Sequence, residues 1–346
     1  MSDAHREGAG TEGTGTATYL AKDEETVSYP RGRTALLVID PVNDFLSEGG
    51  ADWENTRPVV ERVNVVENLK RAIEGARERN IPVLFGPMAF TEEDYEHHQL
   101  HRRSAINRIM FEKKMFQAGS WGADFHPDLR PRDEEIVLLP HKSIDVFETD
   151  LPGHLKHLGT THLVIAGMTA NLCCESTGRH AMEHGYDVTY LSDAVGADNM
   201  AAYEAAVKVN YPLIANAVLK VEDFLQAYDA AEIARAAVQP GDTVRGSDQL
   251  EIGSVKEVVT TGAGNAHLVV PRGLLVHKDV FIPLDAVVRR AGTDVYISVP
   301  RLLVPSMPWD DPPSMQTSRE KRGLPADQVD RLYGSRSPSA SEPRQD

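Results

Sequence analysis

Apolar and polar residues alternate along residues 31–239 with two different periods. Short apolar runs are typical of strands buried in a parallel sheet, and longer segments with an apolar residue at every third or fourth position are typical of helices. The predicted strands are Thr34–Asp40, Ile81–Phe85, Glu135–Leu139, Thr161–Ala166, Asp187–Leu191 and Ala217–Val221. The predicted helices are Pro58–Asn80, Leu151–Leu158, Cys173–His184, Ala201–Val209 and a last helix that ends near Val238. This alternation predicts an α/β domain with a mostly parallel sheet in a three-layer α/β/α arrangement.

The pattern changes after Pro240-Gly241. Short strand-like runs follow, with glycines at the turns, and no helical period is visible. The runs are Leu250–Val259, His267–Val270, Val280–Pro283 and Val295–Val299. We therefore predict a small, barrel-like all-β module over residues 241–309. Residues 1–30 and 310–346 lack periodicity, which predicts a disordered first tail and a second tail that is disordered or partly helical.

Composition and charge narrow the class of function. The 346-residue chain has a formal net charge of −16, which disfavours nucleic acid and anionic membranes as partners. Its apolar runs are far shorter than the ~18–20 residues needed to span a bilayer, and its first residues lack a secretory pattern. Its two cysteines are adjacent, at Cys173 and Cys174, and do not suggest a disulfide framework. These features predict a cytoplasmic protein.

Residues Gly86–Asp133 form the least regular part of the α/β domain, and long loops in compact domains are often functional. His97, His98 and His101 lie there, and the i, i+4 spacing could place two of them on one helix face around a metal. The neighbouring Arg102-Arg103 pair would repel a cation, so a solvated helix face is the preferred interpretation. We expect no metal and no cofactor.

Three polar residues follow predicted parallel strands: Asp40, Lys142 and Cys173. The carboxyl ends of parallel strands meet at one edge of a sheet, where ligands bind. A thiol becomes a good nucleophile when its surroundings favour the thiolate. A helix N-terminus at Cys173 and the Lys142 ammonium would both do so, and Asp40 could act as general base and then general acid.

The predicted helix phase distinguishes the two cysteines. Cys174 shares a stripe with Gly178, Ala181 and Met182, whereas Cys173 shares its face with more polar residues. Because an apolar stripe packs on the sheet, we expect Cys174 in the core and Cys173 at the open edge.

Three motifs resemble those of the isochorismatase-like cysteine hydrolases, which include nicotinamidases, N-carbamoylsarcosine amidase and ureidoacrylate amidohydrolases. They are LVIDPVNDF (37–45), PHKSIDVF (140–147) and GMTANLCCEST (167–177), within a resemblance that covers residues 33–237. The resemblance implies Asp40, Lys142 and Cys173 as the catalytic triad. It also implies an oxyanion hole from the backbone N–H groups of Thr169 and Cys173, and a cis peptide at Met168–Thr169.

Departures from the family pattern bear on the substrate. The family usually has Gln at the position of Asn43, and nicotinamidases carry an Asp-x-His metal motif where GPMAF (86–90) stands here. We therefore expect a metal-free enzyme that cleaves a C–N bond of a small linear amide or ureide through a Cys173 thioester. Pockets are mostly aromatic and apolar with few polar groups, and the residues expected to line this one are Asn43, Phe45, Trp121 and Phe147.

Two alternatives remain open from the sequence. The same triad could act on an ester or an enol ether, or the chain could be a catalytically weak binding or scaffold protein. Residues 241–309 resemble PRC-barrel-like domains through GDTV (241–244), IGSVKEV (252–258) and VFIPLDAV (280–287), which implies a binding or assembly accessory. The hydrolase family resemblance implies a homo-oligomer.

Overall fold

The computed structural model describes residues 27, 29–97, 99, 104–260, 266–272 and 278–310. Six parallel strands form its main sheet. They are β1 Thr34–Ile39, β2 Val83–Gly86, β3 Ile136–Val137, β4 His162–Gly167, β5 Asp187–Val195 and β6 Ala217–Leu219. Their order across the sheet is β3-β2-β1-β4-β5-β6. The predicted parallel α/β domain is therefore confirmed, with each predicted strand present within a few residues of its expected bounds.

The central strand β1 and its two neighbours, β2 and β4, end at the same position along the carboxyl edge of the sheet. All six of its residues are buried, as a strand covered on both faces requires. Its last residue, Ile39, pairs with Gly86 of β2 on one side and with Gly167 of β4 on the other. Three chain segments therefore leave the sheet at the same height, immediately before Asp40, Pro87 and Met168.

Helices and helical turns fill the connections. The α-helices are α1 Asn43–Leu46, α2 Trp53–Val63, α3 Val65–Glu78, α4 Glu92–Glu96, α5 Ala105–Glu112, α6 Leu151–Leu158, α7 Glu175–Glu183, α8 Met200–Glu204, α9 Tyr211–Ile214 and α10 Val221–Ala237. Two π-type segments, Ala170–Cys174 and Ala205–Asn210, continue directly into α7 and α9. Short 3₁₀ turns cover Pro127–Leu129, Val146–Glu148, Leu284–Ala286 and Arg301–Ser306.

Two helix predictions need correction. The single helix expected over Pro58–Asn80 is two helices, because Asn64 adopts a left-handed conformation (φ 60°) that ends α2 and starts α3. Cys173 does not begin an α-helix, since it lies within the π-type turn that precedes α7. Single π turns are often found at functional sites.

Residues beyond α10 form two further sheets. The added strands are β7 Thr243–Arg245, β8 Glu251–Ser254, β9 Glu257–Thr260, β10 Ala266–Arg272, β11 Lys278–Pro283, β12 Val287–Ala291 and β13 Asp294–Ile297, ordered β11-β10-β9 and β12-β13-β7-β8. Their apolar residues, with Ala234 of α10, form a second hydrophobic cluster. The all-β character is as predicted, and the PRC-barrel assignment stays a prediction.

The predicted N-terminal tail reaches into the fold. Tyr29 is fully buried and donates or accepts a hydrogen bond with Thr189 of β5 at 3.1 Å, and Val27 is buried as well. The folded region therefore starts by residue 27, and residues 1–26 and 311–346 lie outside the described residues. Within the described ranges, no helix has the length and apolar character to cross a membrane.

Candidate active site

Asp40 leaves the end of β1 in a left-handed conformation (φ 48°), which is uncommon for a residue other than glycine. Its backbone N–H donates to the Gly86 carbonyl at 3.0 Å, and its side chain is fully buried. Oδ1 contacts Nε2 of His141 at 2.9 Å, while Oδ2 is buried and forms no hydrogen bond with any described residue. Buried carboxylate oxygens are costly without a partner, so Oδ2 is an acceptor in need of a donor.

Close approach of β1 and β4 fixes the other side of the site. The Met168 N–H donates to the Ile39 carbonyl at 2.8 Å. Gly167, at φ 117°, lies so near Ile39 that a Cβ there would come within 2.0 Å of its carbonyl oxygen. Only glycine fits this position, and the Met168–Thr169 peptide that follows is cis, as the family resemblance implied.

His141, rather than Lys142, is the partner of Asp40. Its backbone N–H donates to the Pro87 carbonyl at 3.1 Å, which fixes the residue beyond the end of β2. Its ring is fully buried, with Nδ1 against the Ser143 carbonyl oxygen and Nε2 against Asp40. Burial lowers the pKa of His141, but the Asp40 carboxylate and the backbone contacts at Ser143 and Gly86 outweigh it and raise the pKa above its ordinary value.

Both ring nitrogens of His141 face oxygen acceptors. A neutral imidazole carries one N–H, whereas the imidazolium carries two. Two N–H donors would satisfy both acceptors, in agreement with the raised pKa of His141. His141 and Asp40 therefore form a fully buried, hydrogen-bonded pair.

Lys142 was expected to favour the Cys173 thiolate, but its hydrogen bonds are made to other residues. The Lys142 ammonium donates to the Ala89 carbonyl oxygen at 2.7 Å and pairs with the Asp94 carboxylate. Its side chain is 35% exposed, in contrast to the fully buried Asp40 and His141. Here the ammonium keeps contact with water and avoids the large desolvation cost of the site's interior. Burial opposes ionisation of Asp94, but Lys142 and Thr91 hold the pKa of that carboxyl below its ordinary value.

The two cysteines differ in access, as the helix phase suggested. Both are free thiols, Cys174 is fully buried, and Cys173 is 4% exposed and lies on a cavity wall. Burial raises the pKa of the Cys173 thiol well above its ordinary value, and the nearby Asp40 carboxylate raises it further. The two features expected to favour the thiolate are therefore not found, because Cys173 does not start an α-helix and the Lys142 ammonium pairs with Asp94.

Thr169 faces the same thiol. A hydrogen bond from its backbone to Cys173 partly offsets the rise in the thiol pKa. Its side chain is 3% exposed and lines the cavity, and its hydroxyl has no hydrogen-bond partner among the described residues. Thr169 thus presents both a backbone donor and an unpaired hydroxyl to a ligand.

The cavity beside Cys173 encloses about 280 Å³. Its apolar wall consists of Phe45, Met88, Ile106, Ile109, Met110, Met115, Ile144 and Leu172. The described lining also includes four polar or charged residues, Asp52, Asn55, Lys113 and Asp198, together with Thr169 and Cys173. Such a mixture, mostly apolar with a few polar groups, is typical of small-molecule sites.

Of the four predicted pocket residues, Phe45 lines this cavity and the other three do not. Asn43 is buried and donates to the Trp121 carbonyl oxygen at 2.8 Å, so it holds the loop. Trp121 has 54% of its surface exposed. Phe147 is buried and stacks on the His180 ring at 4.5 Å between centroids.

Of the three loop histidines singled out by their spacing, only His97 is described, and it is not among the described residues that line the cavity. His97 is exposed, and His98 and His101 lie outside the described residues. Elsewhere in the described chain, Asp145, Glu148 and His180 offer ligand atoms within 4.8 Å of one another. Asp145 already bonds the His180 ring at 2.7 Å, which gives this group a structural role beneath Phe147.

Sequence reasoning missed His141 and most of the cavity wall. His141 had a visible signal, since it is a titratable residue in the same loop as Lys142. A sequence signal also existed for Ile106, Ile109 and Met110 of α5, because their spacing indicates an apolar helix face. No sequence signal pointed to Asp198, since its place in the cavity wall depends on how the segment after β5 folds.

A parallel α/β sheet with a carboxyl, an imidazole and a thiol assembled at its carboxyl edge defines a hydrolase-like domain. The family model of the isochorismatase domain matches residues 34–237. The chain belongs to the isochorismatase family, a hydrolase family with amidohydrolase members.

Two curated relatives and one solved structure illustrate the similarity. Ureidoacrylate amidohydrolase RutB of Pantoea ananatis is 30% identical over 195 residues, covering 52% of this chain and 76% of the relative. The uncharacterized isochorismatase family protein YddQ of Bacillus subtilis is 30% identical over 161 residues, covering 46% and 76%. The crystal structure of a cysteine hydrolase from Pseudomonas syringae pv. phaseolicola has a TM-score of 0.50 at 17% identity, covers 61% of this chain and 97% of that one, and supports the fold alone.

Proposed function

We propose that this protein is a cysteine hydrolase that cleaves a C–N bond of a small amide or ureide, with Cys173 as nucleophile and with Asp40 and His141 as its proton-handling pair. The single observation that carries the proposal is the unpaired, buried Oδ2 of Asp40 beside the cavity-lining Cys173 thiol. A general base must lie close to the proton that it removes. The relationship to a protein named ureidoacrylate amidohydrolase supports an amide or ureide over other bonds.

Proton transfer accompanies the attack. Because burial keeps the Cys173 thiol protonated in the free site, the S–H proton passes to Asp40 as sulfur forms its bond to the substrate carbonyl carbon. The carbonyl becomes an oxyanion, which the backbone N–H groups of Thr169 and Cys173 would stabilise. A positive charge on His141, next to Asp40, would favour the negative charge that develops.

Collapse of the tetrahedral intermediate breaks the C–N bond. Asp40 returns the proton to the departing nitrogen, which leaves as ammonia or an amine, and a Cys173 thioester remains. A water molecule then attacks the thioester carbonyl and gives its proton to Asp40. The C–S bond breaks, the acid product leaves, and the sulfur recovers its proton.

Lys142 has no direct part in this scheme. Its ammonium is held by Asp94 and the Ala89 carbonyl oxygen. Its Nζ lies over the Phe90 ring, 5.5 Å from the ring centroid. We assign it to positioning the loop between β2 and α4, which carries Met88 of the cavity wall.

Ammonia release from a panel of small amides and ureides tests the proposal, combined with intact-mass detection of an acyl adduct after rapid acid quench. We expect turnover of at least one compound, an adduct on Cys173, and neither in Cys173→Ala. Full activity of purified Cys173→Ala would overturn the mechanism. Alkylation of Cys173 by iodoacetamide, with ester hydrolysis but no amide hydrolysis, would indicate a different bond for the same site.

We also propose that residues 241–309 form a PRC-barrel-like module that serves binding or assembly. Its support is the separate hydrophobic cluster and the seven described strands. Residue-specific crosslinking of the full chain, followed by mass spectrometry, would test whether copies meet through this region. Crosslinks confined to single chains at all concentrations would contradict an assembly role.

A further inference from the structure

One part of the cavity wall carries more negative than positive charge. Asp52 is 5% exposed, and its Oδ1 accepts hydrogen bonds from Lys113 Nζ and Asn55 Nδ2, each at 2.7 Å. Among the described residues that line the cavity, Lys113 is the one cation, and its ammonium is already paired with Asp52.

Asp198 is the second carboxylate of this wall and has no such partner. It lies in the segment that connects β5 to α8, is partly buried, and forms no hydrogen bond or ion pair within the described chain. Burial and the nearby Asp52 raise the pKa of Asp198, and Lys113 only partly opposes them. A carboxylate without a partner in a partly desolvated wall gains from a bound donor or cation.

A second group of the same cavity also lacks a partner. The Thr169 hydroxyl is nine-tenths buried or more, unbonded, and adjacent to Cys173 along the same lining. The rest of the described lining is mostly apolar and largely formed by methionine and isoleucine side chains. The cavity wall thus combines the nucleophile, an unbonded hydroxyl and an unpaired carboxylate with a mainly apolar surface.

We propose that the cavity selects a substrate whose amide or ureide group is joined, through an apolar segment, to a cationic or N–H-donating group that binds Asp198. The same wall disfavours substrates that carry a carboxylate, because its described residues include two carboxylates, Asp52 and Asp198, and one ammonium, Lys113. This inference rests on the proposed function for its nucleophile and assigns Asp198 as the residue that determines specificity.

Charged thiol reagents test the charge of the cavity without any need for turnover. In a Cys174→Ala background, Cys173 is modified with the cationic (2-trimethylammonium)ethyl and the anionic 2-sulfonatoethyl methanethiosulfonates. The rate constant of each reagent with Cys173 is divided by the rate constant of the same reagent with free glutathione, which corrects for the intrinsic reactivity of the reagent. We expect the cationic reagent to be favoured, and Asp198→Asn to reduce the cation-to-anion ratio about 3- to 10-fold, the order expected for one charge in partly screened surroundings.

Matched variants separate this effect from net charge and from misfolding. Glu134→Gln removes one negative charge from an exposed position and should leave the ratio unchanged within about twofold. Asp198→Ser serves as a second variant, and both Asp198 variants should unfold at the same temperature as the parent, because no described bond is lost.

A matched substrate series provides the second measurement. It compares ammonia release from 4-aminobutanamide, pentanamide and succinamate, which differ in the charge at the far end. We expect kcat/KM to fall in that order, and Asp198→Asn to compress the difference between the first and the last about 3- to 10-fold.

The outcomes distinguish the two proposals. Modification of Cys173 at a ratio that Asp198→Asn leaves unchanged would overturn the assignment of Asp198 and leave the proposed function standing. Faster modification by the anionic reagent would overturn it as well. Failure of both reagents to modify native Cys173, with normal modification after denaturation, would overturn the proposed nucleophile and the inference with it.

Discussion

His141 and Lys142 are neighbours in the chain but lie in two different electrostatic regions. His141 belongs to the interior with Asp40 and Cys173, where the side chains of the Asp40–His141 pair are fully buried. Lys142 belongs to an outer corner with Asp94, where both side chains keep contact with water. Charge interactions are stronger where water is excluded, so the same kind of ion pair has different consequences in the two regions.

The interior around Asp40 holds an imidazole rather than an ammonium, and the cost of burying each group explains the difference. Moving an ammonium from water into a buried site is costly, whereas an imidazole can enter neutral and acquire a proton only when a carboxylate favours it. The chain meets this condition with His141, which has Asp40 on one nitrogen and the Ser143 carbonyl oxygen on the other. A group with an adjustable charge thus occupies the interior, and the fixed charge remains at the corner.

The largest effect is expected at the nucleophile. Cys173→Ala should reduce kcat/KM for the best amide by about 10⁴-fold or more, since removal of one member of such a catalytic set abolishes nearly all of its contribution. Cys174→Ala is the matched control, because the adjacent thiol is fully buried and does not line the cavity. It should retain activity within about threefold, measured per folded molecule. Similar losses in both variants would remove the distinction between the two thiols.

The next largest effect is expected at the general base. Asp40→Asn should lower kcat about 10²- to 10⁴-fold, the usual contribution of general acid–base catalysis. Asp94→Asn is the corresponding change at the outer corner and should alter kcat by less than about threefold. Single-turnover acylation of Cys173, followed by mass spectrometry, measures the step directly. Unimpaired acylation in Asp40→Asn would contradict its role.

A smaller effect is expected in the pH dependence of stability. The pKa of His141 is raised in the folded state, so the stabilisation from its charged form is fully present below the ordinary value of about 6.5 and is lost as the pH rises through the raised folded value. Urea unfolding of the parent and of His141→Gln between pH 6 and 9 measures this. The stability difference between them should shrink as the pH rises, and a constant difference would contradict the raised pKa of His141.

The smallest effect is expected at the corner itself. Lys142→Met removes an ammonium that is 35% exposed, and partly exposed ion pairs contribute only about 0–1 kcal/mol. We expect the free energy of unfolding to fall by about 1 kcal/mol or less in a urea titration. A loss as large as that of a buried pair, about 3–5 kcal/mol, would show that the two regions are not electrostatically distinct.

Much of the fold could be predicted from the sequence because the strands of the main sheet are distinct apolar runs. The apolar run at Thr34–Ile39 predicts a doubly covered strand, and it is buried at every position. Knowledge that parallel strand ends share one edge was then enough to predict that Asp40 and Cys173 lie near each other. The level register of Gly86, Ile39 and Gly167 is the structural reason for this success.

The sequence could not decide between adjacent residues in a loop. Pro140 interrupts the strand period, so which of His141 and Lys142 turns inward depends on contacts with Pro87 and Ala89, from a distant part of the chain. The direction of the Cys173 pKa shift was missed for a similar reason, since a π-type turn and an α-helix start cannot be distinguished from this pattern. Trp121 was assigned to the pocket on its aromatic character, which does not determine burial.

The central claim is that the buried pair of Asp40 with His141, and not Lys142, serves Cys173. The most direct measurement is kcat/KM for one amide in His141→Gln and Lys142→Gln, two variants that differ by one position in the chain and receive the same side chain. We expect a loss of about 10- to 100-fold in His141→Gln and of less than about threefold in Lys142→Gln. A large loss in Lys142→Gln, with His141→Gln close to the parent, would contradict it.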